Sequence, residues 1–400
     1  YYWTLETDLD GIPVVISRTG WTGEMGYEIY LRDPSRGNEL WERIMEAGKP
    51  HNIRPIAPCE ARKIEAGILN HGQSMNIENN PYQIVKMFEN EISHYTGVKY
   101  AISVDSCTNA IFLCCKYLEV KEATIPKHTY VSVPMSIIHA GGKVIFKDIH
   151  WSGMYKLEPY PIYDSAKRLT SKMYIKDSYM CLSFHIKKQL GIGKGGMILT
   201  DNEELAEKAR YLTTQAKDDS GEYIHQEIGY NYRLTNLQAA LGCAQVEQVR
   251  SHVDSKRTIA KAYQERLKSV PGLTTMPEAP WAQSVFWLYT VLVDEGEAGL
   301  SSRSLMRQLM TSGIQSRPLW QPMHLSKAHY GQNKRPSPAS ERLHRDGLSL
   351  PSSVGLTQEE QDRVIENIIE AVTKKSVAKD DVQHVSDLDC LSSDNSVQRT

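Results

Sequence analysis

The chain has 400 residues, 40% of them hydrophobic, which allows two or three domains with sizeable cores. Its 46 basic and 48 acidic side chains leave a formal net charge of -2, so nothing calls for nucleic acid or an anionic membrane, and small neutral or anionic ligands fit better. Cys59, Cys107, Cys114, Cys115, Cys181, Cys243 and Cys390 form no CxxC pair and have no accompanying histidine spacing, which points to neither a disulfide framework nor a metal site. No apolar run approaches the roughly 18 residues of a membrane span. The amino end "YYWTLETDLD" lacks a signal pattern, so the expected location is cytoplasmic.

Residues 1–81 carry two strand-like runs, "PVVISRT" and "YEIYL", around the turn "GWTGEMG", then a helix from Asn38 to Ala47. A second helical pattern places Ala61, Ile64 and Ile68 on one face, and "NIENNPY" reads as a joint. So short an α+β segment buries a marginal core on its own. From residue 82 to 250 the pattern becomes alternating α and β. Val85, Phe88, Ile92 and Tyr95 form a helical stripe stopped by Gly97. "KYAISVD", the helix "AIFLCCKYLEV", the segment "ATIPKHTYVSVPMSIIHAGG" and the strand "KVIFKDI" then predict a mostly parallel sheet. "PIYDSAKRL", "YMCLSF", "GGMILT" and the helix "NEELAEKARYL" continue it, and the longest helical run spans residues 235–268. Residues 251–373, with the buried-type strand "FWLYTVLVD", read as a smaller α/β domain whose last helix, Gln358 to Val372, opens on a capping box of Thr357 and Glu360. Residues 374–400 are polar, serine-rich and aperiodic, and read as a disordered tail.

The densest chemistry lies at Lys187 and Lys188, between a strand ending at Phe184 and "GIGKGG" at Gly191 to Gly196. Partial burial after an apolar strand would lower the Lys188 pKa and free its amine to form an imine; the alternative is a surface lysine in a basic pair. Asp164 could keep a pyridine nitrogen protonated or serve as an ordinary turn residue. Ser106, Cys107 and Thr108 lead into a helix whose dipole and amides suit a phosphate, although simple capping explains them almost as well. A depressed thiol pKa at Cys107 would follow from the helix start, but no histidine supports a nucleophile there. Ser183 could add a hydroxyl and Tyr130 a stacking ring, or both could be packing. The glycines fail as a dinucleotide fingerprint because a strand follows them, and as a P-loop because no GK[ST] ends them.

With "YTGVKYAISVDSCTNA", "YDSAK", "SFHIKKQLGIGKGG" and "GYNYRLTNLQAA" in order, the chain from about Phe88 to Val372 resembles the DegT/DnrJ/EryC1/StrS family of sugar aminotransferases. The resemblance implies the pyridoxal-phosphate-dependent fold type I, with Lys188 as the cofactor-linked lysine and Asp164 at the ring nitrogen. It also implies phosphate contacts from Ser106, Cys107, Thr108 and Ser183, and a ring contact near Tyr130. Asn231 would reach the phosphate of a partner subunit, hence a homodimer with shared sites. L-glutamate would be the amino donor and a nucleotide-linked 4-keto-6-deoxy sugar the acceptor. The segments "IQSRPLWQPMHL" and "LSLPSSVGLT" resemble the branch acting on UDP-linked N-acetylhexosamines toward nonulosonic acids, with Arg317, Trp320 and His324 on the substrate side. Three features depart from the family. Cys107 stands for a customary glycine, and "HWSGMYKLEPYPIY" is a short link before Asp164 where members carry a further strand and helix, so the sheet centre is expected to lack a strand. Lys194 replaces a common glutamate or glycine.

The first 81 residues resemble a different family, the folate-dependent aminomethyltransferases of the glycine-cleavage T-protein type, through "SRTGWTGEMGYEIYL", "GNELWERIMEAGKPHNIRPIAPCEARKIEAGI" and "NIENNPY". Glu24 falls where a folate contact is expected, while Ser74 replaces an aspartate and the family's amino-terminal half is not present, so a fragment is expected here. A folate-binding methyltransferase and a catalytically silent scaffold on the pyridoxal-phosphate fold remain as alternative functions.

Overall fold

A computed structural model describes residues 4–18, 26–55, 81–218, 222, 224–279, 282–329 and 337–386. Glu24, Ser74, the "GWTGEMG" turn up to residue 25, the helix predicted around Ala61 to Ile68 and the start of the "NIENNPY" joint lie outside them. The chain divides into two compact units, one of residues 1–91 and 234–247, the other of residues 92–233 and 248–400.

In the first unit, β1 (Thr4–Leu9), β2 (Ile12–Ser17) and β3 (Glu28–Leu31) form an antiparallel sheet in that order. β1 is absent from the sequence reading. Asp10 and Gly11, with φ of 52° and 81°, make the two-residue turn that pairs it with β2. Helix α1 (Gly37–Gly48) covers the sheet through Leu40, which clusters with Ile12 and Val14. Helix α2 (Pro81–Thr96) begins in this unit, and its Phe88 ring sits against Gly242, where a Cβ would meet it at 2.6 Å.

The second unit is built on β4 (Tyr100–Val104), α3 (Cys107–Tyr117), β5 (Glu122–Pro126), α4 (Ser132–His139), β6 (Lys143–Lys147), β7 (Tyr155–Lys156), β8 (Ile162–Asp164), β9 (Tyr179–Ser183), β10 (Gly196–Thr200) and α5 (Glu203–Thr213). One sheet runs β4-β10-β9-β8-β7, and β5 pairs with β6 beside it. β4, β5, β6, β8 and β9 point the same way, while β10 and the short β7 are reversed. Helices α3, α4 and α5 supply Ile111, Leu113, Ile137 and Leu205 to the core above these strands.

The short link before Asp164 has a definite structural consequence. Where a longer chain would insert a full strand, Tyr155–Lys156 pairs antiparallel with β8, and Glu158 bridges to Thr124 of β5 through N–H···O bonds of 2.8 and 3.1 Å in both directions. Four residues therefore stitch the two sheets together. The backbone groups of β5 and β8 that would otherwise be buried without partners are satisfied in this way.

Helix α6 (Asn236–Leu267) runs out of the first unit into the second. There β11 (Leu273–Thr274), β12 (Tyr289–Val293), β13 (Arg317–Pro318) and β14 (Gly347–Leu350) form an antiparallel sheet in the order β11-β12-β14-β13. Helices α7 (Ser302–Thr311), α8 (Pro338–Asp346) and α9 (Gln358–Ser386) accompany it. Tyr263, Tyr289, Val291, Leu305, Leu348 and Ile365 make a core of their own. The capping box forms as read: Thr357 N donates to Glu360 at 3.0 Å and Glu360 N to Thr357 Oγ1 at 3.2 Å. The sequence reading ends this helix at Val372, but it continues to Ser386, because no glycine or proline interrupts the run from Thr373.

Candidate functional site

Parallel pairing of β8 with β9 sets Asp164 opposite Cys181, and β9 then delivers the chain through Ser183 and Phe184 into the turn that carries Lys188. The turn is closed by the Lys188 N–H donating to the His185 carbonyl at 2.7 Å. Asp164 is 8% exposed, and its Oδ1 accepts from the Ala166 N–H at 3.0 Å. Burial pushes the Lys188 ammonium pKa down, with Asp164 and then Cys107 opposing. The Lys188 Nζ lies 3.9 Å from the centre of the Trp287 ring, and that indole is fixed by donating its Nε1–H to the Lys187 carbonyl at 2.7 Å. Lys187 itself is exposed.

β10 returns antiparallel between β9 and β4, with Gly196 opposite both Ser183 and Val104. A Cβ on Gly196 would lie 2.3 Å from the Ser106 carbonyl carbon and 2.4 Å from the Cys107 nitrogen, so only glycine lets the strand pass the start of α3 this closely. Ser106 caps the eleven-residue α3 by accepting from Asn109 N–H at 3.2 Å. The amides of Cys107 and Thr108, in the first turn, have no intrahelical acceptor. Lys194 ties the glycine run to the same corner by pairing with Asp105 at 3.1 Å, and Asp105 accepts from Asn109 Nδ2 at 2.7 Å.

Cys107 departs from the expectation of a depressed pKa. Burial, and next the Asp164 charge, push its thiol well up, outweighing the helix start. Its Sγ lies 3.5 Å from the Cys181 carbonyl oxygen. Ser183 is half-buried and accepts from His185 N–H at 3.4 Å. Tyr130, 51% exposed, has its ring 5.1 Å from that of Trp320. Asn231 is exposed beside its bridge to Thr214, and Arg317 is exposed on β13. His324 Nε2 contacts Glu341 Oε1 at 3.0 Å, and its side chain is 6% exposed.

Four side chains that the sequence reading did not single out complete the site. Lys167, three residues past Asp164, holds its Nζ 4.0 Å from the Trp320 ring centre, 4.3 Å from Trp151 and 5.6 Å from Trp287. Burial pushes its pKa down to about 7, Lys188 adding to the fall and Asp164 opposing. Tyr155, opposite Asp164 across β7 and β8, bonds to Thr129 Oγ1, and its hydroxyl pKa is pushed well up by burial and by Asp164. The run "YDSAK" contained Lys167, but a lone lysine after a turn carries no periodic signal, and the tryptophans come from three distant segments.

An amine of lowered basicity, a buried carboxylate and a glycine-cradled helix start fit an aldehyde carrying a phosphate. The fold and this donor set define an aminotransferase. Residues 60–163 and 172–369 match the DegT/DnrJ/EryC1/StrS aminotransferase family, and the chain belongs to it. Residues 1–87 match the GCVT N-terminal domain and are similar to a second family. EpsN of Bacillus subtilis is 27% identical over 86% of this chain and 96% of its own length. The GDP-perosamine synthase of Caulobacter vibrioides is 28% identical over 70% of this chain and 87% of its own. Among solved structures, PseC of Helicobacter pylori, an aminotransferase involved in the biosynthesis of pseudoaminic acid, superposes with a TM-score of 0.68 at 19% identity, covering 80% of this chain and 98% of that one. Among the described residues no helix is long and apolar enough to cross a membrane.

Proposed function

We propose that this chain is a cytoplasmic, pyridoxal-phosphate-dependent aminotransferase that moves an amino group from L-glutamate to a nucleotide-linked 4-keto-6-deoxy sugar, serving surface polysaccharide or nonulosonic acid biosynthesis. The observation that carries the reading is the pairing of β8 with β9, which brings a half-buried Lys188 amine into the field of the buried Asp164 carboxylate. Bound there, pyridoxal phosphate supplies an aldehyde and an electron sink. Ser106 and the first amides of α3, with Ser183, would hold its phosphate; Asp164, steadied by the Ala166 N–H, would meet its ring nitrogen; Tyr130 would border its ring. The Lys188 Nζ, less basic than a solvated lysine, takes and returns the proton that moves during transfer. The Trp287 face positions that amine and keeps water off it. Arg317 and Trp320 would border the sugar nucleotide, and Asn231, which is exposed, would reach the phosphate site of a partner subunit in a homodimer.

Titration with pyridoxal phosphate tests this directly. A band at about 400–430 nm is expected in the wild type and is lost in Lys188→Ala. Absence of the band, or its persistence in the variant, overturns the assignment, and turnover with glutamate separates an enzyme from a silent scaffold.

A further inference from the structure

Lys167 is unusual among the lysines described. It is half-buried, points inward, and among the described residues has no carboxylate oxygen within 4.0 Å. Three indole faces surround it instead: Trp320, Trp151 and Trp287. The turn that aims it is closed by two hydrogen bonds, Asp164 Oδ1 accepting from Ala166 N–H at 3.0 Å and Ser165 O from Arg168 N–H at 3.1 Å. Trp151 is held in turn by its Nε1–H donating to the His128 carbonyl at 3.0 Å. A lysine kept for surface charge would reach water, and one kept for structure would meet an anion. An ammonium held by indole faces can lose its proton without breaking an ion pair.

The second observation is that Lys167 duplicates the surroundings of Lys188. Both amines approach the same Trp287 ring, and both lie in the field of Asp164. The charged groups that bear on Lys167 are Asp164, which favours its ammonium, Lys188, which disfavours it, and His128, whose own pKa burial and Lys167 hold at about 4, so that it is neutral near pH 7. Lys167 closes the "YDSAK" run, in which the family resemblance gives a role to Asp164 and none to Lys167.

We propose that Lys167 is a second carbonyl-capturing amine of this site, able to hold an aromatic aldehyde of the pyridoxal class against the tryptophan walls. The inference rests on the pocket binding such an aldehyde, as in the function proposed above, and adds a second covalent position within it. In the step, the Lys167 Nζ lone pair attacks the aldehyde carbon and the C=O π pair moves to oxygen. Two protons from nitrogen pass to that oxygen, which departs as water, leaving C=N with no change of oxidation state. The partly neutral amine near pH 7 makes this feasible where a solvated lysine is almost fully protonated.

The experiment treats the full chain with pyridoxal phosphate and sodium cyanoborohydride at pH 7 and maps the reduced adducts by mass spectrometry. The proteins compared are the wild type, Lys188→Ala and Lys188→Ala/Lys167→Arg. Exposed Lys187 serves as the internal reference. In Lys188→Ala, Lys167 is expected to be tagged at least tenfold over Lys187, with the excess appearing at lower pH than tagging of Lys187. Arginine keeps the charge against the indoles but not the amine, so the double variant should melt like Lys188→Ala and lose the tag. A wild type tagged on Lys188, with Lys167 in Lys188→Ala no more reactive than Lys187, overturns this proposal and leaves the assignment of Lys188 standing. A wild type tagged on Lys167 and not on Lys188 does the reverse. Tagging of neither above Lys187 overturns both.

Discussion

The three-stranded sheet near the amino end and the sheet that carries Lys188 solve opposite problems. β1–β3 are packed on one face by a small cluster of Ile12, Val14 and Leu40, and Leu5, Ile29 and Tyr30 are exposed. β10 is buried along its whole length, and β9 for all but its last residue. Ionisation follows that difference. In the first unit the shifts at Asp33, Arg36 and Glu39 come first from side-chain hydrogen bonds. At Lys188, Lys167, Cys107 and Tyr155 the leading cause is burial. Withdrawal from water is what makes an amine useful for carbonyl chemistry at neutral pH, and of these two sheets, among the described residues, it is the second that provides it around a lysine.

The sharpest way to break this contrast is to remove one of two adjacent lysines. Lys188→Ala should lower transamination of a keto sugar nucleotide by about 10²–10⁴-fold. Lys187→Ala should leave it within about twofold, since Lys187 is exposed and contributes a backbone carbonyl that alanine retains. Equal losses in steady-state assays of the two variants would mean that burial is not what separates them.

A second test acts on packing. In Gly196→Ala the added methyl meets backbone atoms of Ser106 and Cys107 at 2.3 and 2.4 Å, neither of which can rotate away. β10 must retreat from the helix start, at a cost of about 1–3 kcal/mol. Chemical denaturation measures the loss. A separate titration should show weaker inorganic phosphate or cofactor binding, because the strand and the first amides of α3 are pushed apart.

Much of this was legible in the chain, for identifiable reasons. Strands such as "KYAISVD" and "GGMILT" are continuous apolar runs bounded by glycine or polar residues, and the α3 cap and the Thr357–Glu360 box are local patterns that need no tertiary partner. β1 was missed because its alternation is weak and its outer positions are exposed; the legible signal was Asp10-Gly11, a turn pair whose two positive φ values demand a hairpin. The repair of the sheet by Glu158 and β7 was illegible in "HWSGMYKLEPYPIY", since two backbone bonds to Thr124 carry no side-chain signature. The tryptophan walls were illegible for a related reason: residues 151, 287 and 320 are brought together only by the fold.

The Lys167 environment should also appear in the pH dependence of stability. With a folded pKa of about 7, against roughly 10.4 for an unfolded lysine, the unfolded chain binds the extra proton throughout that window. Stability from this group therefore rises as pH climbs from about 7 toward 10, and is lowest at and below pH 7. Lys256, at about 8 from burial alone, adds a slope of the same sign. Lys167→Met should raise Tm by ~2 °C or more at pH 6, with the gain shrinking toward pH 10, and should flatten the profile without abolishing it. A variant whose Tm tracks the wild type in parallel across pH 6–10 would mean that the indole faces hold Lys167 charged throughout.

The smallest effect is expected in the exposed sheet and depends on backbone alone. Gly11 has φ of 81° and nothing within 4 Å of where a Cβ would stand, so Gly11→Ala meets no clash there. What it does meet is the left-handed penalty of about 1 kcal/mol. That cost belongs to the turn joining β1 to β2, and the ladder from Thr4–Ser17 to Leu9–Ile12 transmits it along both strands. Hydrogen exchange should therefore show faster opening of β1 and β2 amides by about fivefold, with β9 and β10 unchanged. Equal acceleration in β9 and β10 would show that the two sheets open together, and the contrast between an independent surface hairpin and a buried catalytic sheet would fail.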